Sequence, residues 1–168
     1  MMETTTDIEI LNYALTLEYL EADFYKRGAE AKLFSGHDED VIKAIRDHEK
    51  DHVETLKKTI EKLGGKHVKE PKFQYPAGTF TDKAAFLKTA STFEELGVAA
   101  YHGQVTRLEN PDLLAAAASI AGVESRHAAV LAGMMGGNPF PAPIEAHKTM
   151  ADVLAAAKPF IVGSGVQS

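Results

Sequence analysis

Residues 45–56 read Ile-Arg-Asp-His-Glu-Lys-Asp-His-Val-Glu-Thr-Leu, and residues 120–131 read Ile-Ala-Gly-Val-Glu-Ser-Arg-His-Ala-Ala-Val-Leu. The two stretches lie 75 positions apart and share Ile, Glu-x-x-His and Leu at matching places. In the first, Ile42, Ile45, Glu49, His52, Leu56, Ile60 and Leu63 fall on one face of a helix. In the second, Leu113, Ala117, Ile120, Glu124, His127, Leu131 and Met134 do the same. Both stripes are apolar except at their centres, which hold Glu49 with His52 and Glu124 with His127. Two further stripes repeat the anomaly. Ile8, Leu11, Leu15, Glu18, Ala22, Tyr25 and Ala29 form one, and Leu87, Ala90, Glu94, Gly97, Tyr101, Val105 and Leu108 the other. Glu18 to Glu94 and Tyr25 to Tyr101 are each 76 positions, so the chain reads as two similar halves.

Helix signals frame these stripes. Thr6 with Glu9 makes a capping box, and the first helix runs to about Ala31, before Ser35-Gly36. The second is expected from near Asp38 to Gly64-Gly65. Residues 66–80 hold Pro71, Pro76 and Gly78 and cannot be helical. Thr81-Asp82 opens a third helix expected to reach Glu109, and Asn110-Pro111 opens the fourth, which ends at Gly136-Gly137. Pro139, Pro141 and Pro143 then interrupt, with a short helix expected over 146–158. Short links make helices 1 and 2, and 3 and 4, antiparallel hairpins; the long link between helices 2 and 3 lets those two run parallel. The expected fold is all-α: a four-helix bundle over residues 1–137 with a proline-broken extension over 138–168.

Composition narrows the function. The 168 residues contain no cysteine, so disulfides, zinc ribbons, iron–sulfur clusters and thiolate-held haem are excluded, and any metal must sit on histidine and carboxylate. With 18 basic and 24 acidic residues the net charge is −6, which is no footprint for nucleic acid. The longest uncharged apolar run, 113–123, is too short for a membrane span, and residues 1–7 lack signal-peptide character. A cytoplasmic protein is expected. Residues 113–168 carry only six charged side chains (Glu124, Arg126, Glu145, Lys148, Asp152 and Lys158), so helix 4 is expected to be central or at an oligomer contact. The expected assembly is a homodimer or other small oligomer.

Four glutamates buried without counter-charge would cost several kcal/mol each and would take up protons instead. Two divalent cations against four glutamates and two neutral histidines give net zero. One glutamate from each of two helices, plus Glu-x-x-His from the other two, is the ligand set of a dinuclear carboxylate centre in a bundle core. Oxygen-rich ligation with one imidazole per ion suits two iron or two manganese ions. The expected small-molecule partners are dioxygen, peroxide or the metal ions themselves, with ferroxidase, catalase or oxidase chemistry.

Glu18 with Tyr25, Glu49 with His52, Glu94 with Tyr101, and Glu124 with His127 resemble the ligand pattern of bacterioferritins and rubrerythrins in the ferritin-like superfamily. Residues 17–25 (Leu-Glu-Tyr-Leu-Glu-Ala-Asp-Phe-Tyr) and 153–161 (Val-Leu-Ala-Ala-Ala-Lys-Pro-Phe-Ile) are more similar to the branch containing plant desiccation-related proteins. The resemblance implies that Glu49 and Glu124 bridge two metals and that Glu18 and Glu94 are terminal. It implies a stress-protective role, whether redox-active or through metals that only stabilise the fold. The chain departs from bacterioferritins at His48 and Val123, where those proteins tend to carry aspartates that orient the opposite histidine.

Other residues read more plainly. The Tyr25 and Tyr101 hydroxyls are candidates to bond Glu94 and Glu18, as groups acting beside the metals; otherwise they are core aromatics. Glu21, beside the stripe near Leu17 and Phe24, is read as paired or partly exposed in preference to a spare ligand. His37, His67 and His147 are expected to be solvated, and His102 has no assigned role. Residues 48–52 also match the His-Glu-x-x-His zinc-protease pattern, in which His48 and His52 would share one ion. That reading puts His48 at the stripe's flank and leaves the Glu124/His127 repeat unexplained.

Overall fold

The computed structural model describes residues 6–163. Five α-helices occupy most of them: α1 Asp7–Ala31, α2 Gly36–Lys62, α3 Lys83–Gln104, α4 Pro111–Met134 and α5 Met150–Ala157. The capping box forms as expected, with Glu9 N–H donating to Thr6 Oγ1 (3.2 Å) and Thr6 N–H to Glu9 Oε2 (2.6 Å). Asn110 caps α4 by accepting from Asp112 N–H at 2.9 Å, with Pro111 in the first turn.

Packing sets the directions. Asn12, early in α1, accepts from Val68 N–H and donates to Lys66 O just past α2, so α1 and α2 are antiparallel. Gly28 near the end of α1 meets Phe86 at the start of α3, while Glu18 meets Tyr101 near the end of α3, so those two are antiparallel as well. Helices α2 and α3 therefore run parallel. The crossover between them climbs along α1: Lys66 and Val68 sit at Asn12, and Tyr75 donates to Asp23 Oδ2 (2.7 Å) and Leu20 O (3.2 Å). Phe80 and Phe86 then reach Phe24.

Phe24 anchors the upper core. Its ring stacks on Phe86 with centroids 4.7 Å apart and meets Tyr25 and Phe93 edge-on at 5.2 Å. A fully buried side chain of this size contributes about 1.5–3 kcal/mol. Glycine lets the helices approach here: a Cβ on Gly28 would lie 2.3 Å from a Phe86 ring carbon.

Several boundaries differ from expectation. Helix α2 begins at Gly36, two residues before Asp38, and Ser35 makes no side-chain cap. Helix α3 stops at Gln104, short of Glu109, in tighter turns with Val105 N–H on His102 O and Arg107 N–H on Gln104 O. The C-terminal segment crosses α3 here, and a Cβ on Gly103 would lie 1.9 Å from Lys148 O. The short helix starts at Met150, where Thr149 caps it, and not at 146. A two-residue antiparallel ribbon, absent from the all-α expectation, pairs β1 (Lys72–Phe73) with β2 (Ile161–Val162) and ties the extension to the crossover.

Helix α4 is not central. Its buried line is Leu113, Ile120, Ala121, Glu124, His127, Ala128 and Leu131, while Ala115, Ala116, Ala118, Ser119 and Gly122 are exposed. The most enclosed helix is α1, which buries Leu17, Glu21, Phe24 and Gly28 in addition to its stripe. Alanine suits a helix exposed or buried, and of the two expected places for α4 the central one is excluded.

Candidate metal centre

Each mid-stripe residue arrives at one level of the bundle. Helices α1 and α3 supply Glu18 and Glu94; α2 and α4 supply the two Glu-x-x-His pairs, each pair one helical turn apart on one face. All four glutamates are fully buried, and His52 and His127 retain 9% and 4% exposure. Their donor atoms form two groups, Glu18, Glu49, His52 and Glu124, and Glu49, Glu94, Glu124 and His127, with the atoms of each within 4.8 Å of one another. Glu49 and Glu124 belong to both.

The distances show what such groups can hold. His52 Nδ1 lies 3.2 Å from Glu18 Oε2, 3.3 Å from Glu49 Oε2 and 3.2 Å from Glu124 Oε1. His127 Nδ1 lies 2.9 Å from Glu49 Oε1 and 3.2 Å from Glu94 Oε2. One ring nitrogen carries at most one proton, so it cannot donate to two or three carboxylates at once. Glu49 Oε1 and both Glu124 oxygens in fact lack a hydrogen-bond partner of acceptable geometry. Buried carboxylate oxygens left so are costly, and a cation at each convergence point would satisfy them. Each group could hold a metal ion, and carboxylate oxygens with one imidazole suit a hard or borderline cation.

The two tyrosines cross over between α1 and α3. Tyr25 donates to Glu94 Oε1 at 2.5 Å, and Tyr101 donates to Glu18 Oε1. Burial and the facing carboxylates push both phenols well above their ordinary value of 10, so both stay neutral donors. Each leaves the second oxygen of its glutamate toward the histidines.

Without metal the cluster neutralises itself with protons. Burial pushes Glu49 up to about 7, and burial with neighbouring carboxylates holds Glu124 well above its ordinary 4.5. Burial works against charge on the histidines, but Glu124, Glu18 and Glu49 outweigh it at His52, and Glu49 and Glu94 raise His127 to about 9. Burial likewise opposes charge on Glu18, yet His52 holds it below its ordinary value.

One residue differs from its sequence reading, and His48 keeps the flank position expected of it. Glu21 is neither paired nor partly exposed: it is 2% accessible, and its Oε1 has no partner. Its position three residues after Glu18 was the available signal. His48, on the solvent side of α2, sets its Nδ1 2.9 Å from His127 Nε2, with the rings stacked at 14°. It backs the ring whose other nitrogen faces Glu49 and Glu94, and stands outside both donor groups. That placement does not suit a zinc site shared by His48 and His52. His102 bonds its own helix at Val98 O, and His37 and His147 are exposed, while His67 is part-buried beside Glu61.

A search among curated proteins finds no match to the chain. A family model described as the ferritin-like domain matches residues 6–137, the span that contains the four long helices and all six clustered ligand candidates. With that match over most of its length, the chain belongs to the ferritin-like domain family.

Proposed function

We propose that this protein binds two iron or manganese ions between Glu18, Glu49, His52, Glu94, Glu124 and His127 and uses them in redox handling of dioxygen, peroxide or the metal itself. The observation that carries the reading is the pair of donor groups sharing Glu49 and Glu124, of which Glu49 Oε1 and both Glu124 oxygens lack a hydrogen-bond partner. Ions of this kind, when bound, supply one-electron chemistry and Lewis acidity toward oxygen species.

The chain's own residues do the rest. Tyr25 and Tyr101 fix one oxygen of Glu94 and Glu18, which limits how those carboxylates turn. His48 fixes the ring of His127 from behind, the role outer partners of metal-bound histidines serve. Leu17, Leu20, Phe93 and Leu96 line a small apolar space beside Glu21 and Gly97. The likeness of residues 17–25 and 153–161 to the desiccation-related branch supports a place in stress protection.

Elemental analysis of protein purified without added metal, then after loading with iron or manganese, tests the reading. Two ions per chain and a melting temperature that falls on chelation are expected. Fewer than one ion per chain at saturating metal would overturn it. A loaded protein whose spectrum is unmoved by dioxygen or hydrogen peroxide would assign the metals to fold stabilisation alone.

A further inference from the structure

Away from the six ligand candidates, toward the start of α1, a slot of about 30 Å³ lies among all four long helices. Leu56 and Ile120, one turn from His52 and Glu124, line the end nearer the centre. Thr55 on α2 and Ala116 on α4 are exposed and mark the mouth. Tyr13 on α1 and Gln104 at the end of α3 also line it, and they are only 6% and 3% accessible. Among the described residues, Tyr13 Oη, Gln104 Oε1 and Gln104 Nε2 have no hydrogen-bond partner. The other polar groups of the lining are accounted for. Tyr101 gives its hydroxyl to Glu18 Oε1, Thr59 gives its hydroxyl to Thr55 O at 2.8 Å, and Thr55 faces solvent. A phenol and an amide buried without partners cost stability that phenylalanine and leucine would not.

The lining selects a chemistry. It contains no charged residue, so a metal ion or an anion would enter without counter-charge, at high cost. Burial pushes the Tyr13 phenol above its ordinary 10, so it stays a neutral hydroxyl. Gln104 Oε1 needs a donor and Nε2 an acceptor, while Tyr13 Oη can serve as either. A carbonyl compound or dioxygen only accepts, which leaves Gln104 Oε1 as it was. A hydroxyl both donates and accepts. Water does so too, but it would turn its remaining faces to leucine, isoleucine and alanine, where an alkyl group gains from burial. The space exceeds the roughly 10–15 Å³ that one water needs and takes about two such groups, so the alkyl part must be short.

We propose that this slot is a binding site for a short-chain primary alcohol, with the hydroxyl on Gln104 and Tyr13 and the alkyl group against Leu11, Leu56 and Ile120. The site borders Tyr101 but uses none of the six ligand candidates, so it stands independently of the metal-binding reading.

The test titrates methanol, ethanol and tert-butanol into the full-length protein, with zinc(II) present so that any bound ion is diamagnetic, and follows the Gln104 side-chain amide by nuclear magnetic resonance. Saturable shifts confined to slot residues are expected, with ethanol about fourfold tighter than methanol for its added methylene. The broader tert-butanol should bind more weakly than ethanol. Gln104→Leu and Tyr13→Phe each remove one hydroxyl partner and should weaken ethanol about fivefold, read from the remaining slot residues. An amide unmoved by every alcohol would make the slot a water site and overturn the proposal. Shifts that never saturate, or parent-like ethanol binding in both variants, would do the same. If Gln104→Leu does not fold, Tyr13→Phe decides alone, and parent-like binding there overturns the proposal. A parent that binds no metal but takes ethanol as described would overturn the metal reading and leave this one standing.

Discussion

Raising the pH from 5 to 9 should destabilise the metal-free protein and leave the metal-loaded protein without that loss. Burial holds Glu49 up at about 7, and Glu21 and Glu124 well above their ordinary 4.5. His127 is held at about 9, because Glu49 and Glu94 outweigh the effect of burial. Each of these groups binds its proton more tightly folded than unfolded. As pH climbs past 4.5 the unfolded chain releases carboxyl protons that the folded chain still keeps, and unfolding gains. For Glu49 this runs from 4.5 to about 7 and amounts to roughly 3 kcal/mol at about 1.4 kcal/mol per pH unit. For His127 it runs from 6.5 to about 9 and is of similar size. Glu18, held low, acts in the opposite sense, and only below its ordinary 4.5. The groups titrate as one set, so the observable is their sum. At about 2–4 °C per kcal/mol for a chain of this size, the metal-free melting temperature should drop by about 10 °C or more. Bound ions reverse the slope between pH 5 and 7, since they require these same groups deprotonated. Circular-dichroism melting of chelated and manganese-loaded protein at unit pH steps measures both. A metal-free melting temperature that is flat or rising over this range would refute the electrostatic account.

Three further outcomes are expected. His48→Ala should retain both ions but weaken the one on His127 about tenfold to a hundredfold in a competition titration, because the ring loses its partner at Nε2; loss of all metal would make His48 a ligand instead. Gly28→Ala sets a methyl 2.3 Å from the Phe86 ring and should cost about 1–3 kcal/mol in denaturant unfolding, whereas an unchanged midpoint would show that the Phe86 ring can move at no cost. Light scattering should give twice the 18.2 kDa chain mass, through the exposed small-residue face of α4 and the exposed Phe140 and Ile144, with Ala118→Arg lowering it to one chain; a monomeric parent would remove this interface.

The helices and the central six residues were legible because both are local patterns. A 3.6-residue period carries a polar residue into the core wherever it interrupts the stripe, and Glu18, Glu49, His52, Glu94, Glu124 and His127 all do so. Thr6 with Glu9 and Asn110 with Pro111 announce helix starts through neighbours alone. What the sequence hid depends on distant partners. Glu21 lies about 60° around the helix from Glu18, and its burial comes from packing against residues of α3 such as Phe93 and Leu96. The early end of α3 follows from a later segment crossing at Gly103. The β1–β2 ribbon joins two-residue segments nearly ninety positions apart, too short to show any period.

Where the two halves agree and where they differ bears on what such a centre does. The ligand candidates and the tyrosines repeat at offsets of 75 and 76, which gives two similar donor groups sharing Glu49 and Glu124. The differences fall immediately beside the ligands. His48 corresponds to Val123 by the offset of 75, so His127 has an imidazole at its back where the counterpart position behind His52 offers only an apolar side chain. Glu21 corresponds to Gly97, so one half carries a buried carboxylate where the other has no side chain. Both differences alter the surroundings of an ion without changing the six shared positions. A hydrogen-bonded imidazole is a more basic donor. Any ions held between the two halves would therefore meet unequal surroundings. That inequality lies in the residues behind the ligand candidates, while the six candidates themselves repeat between the halves.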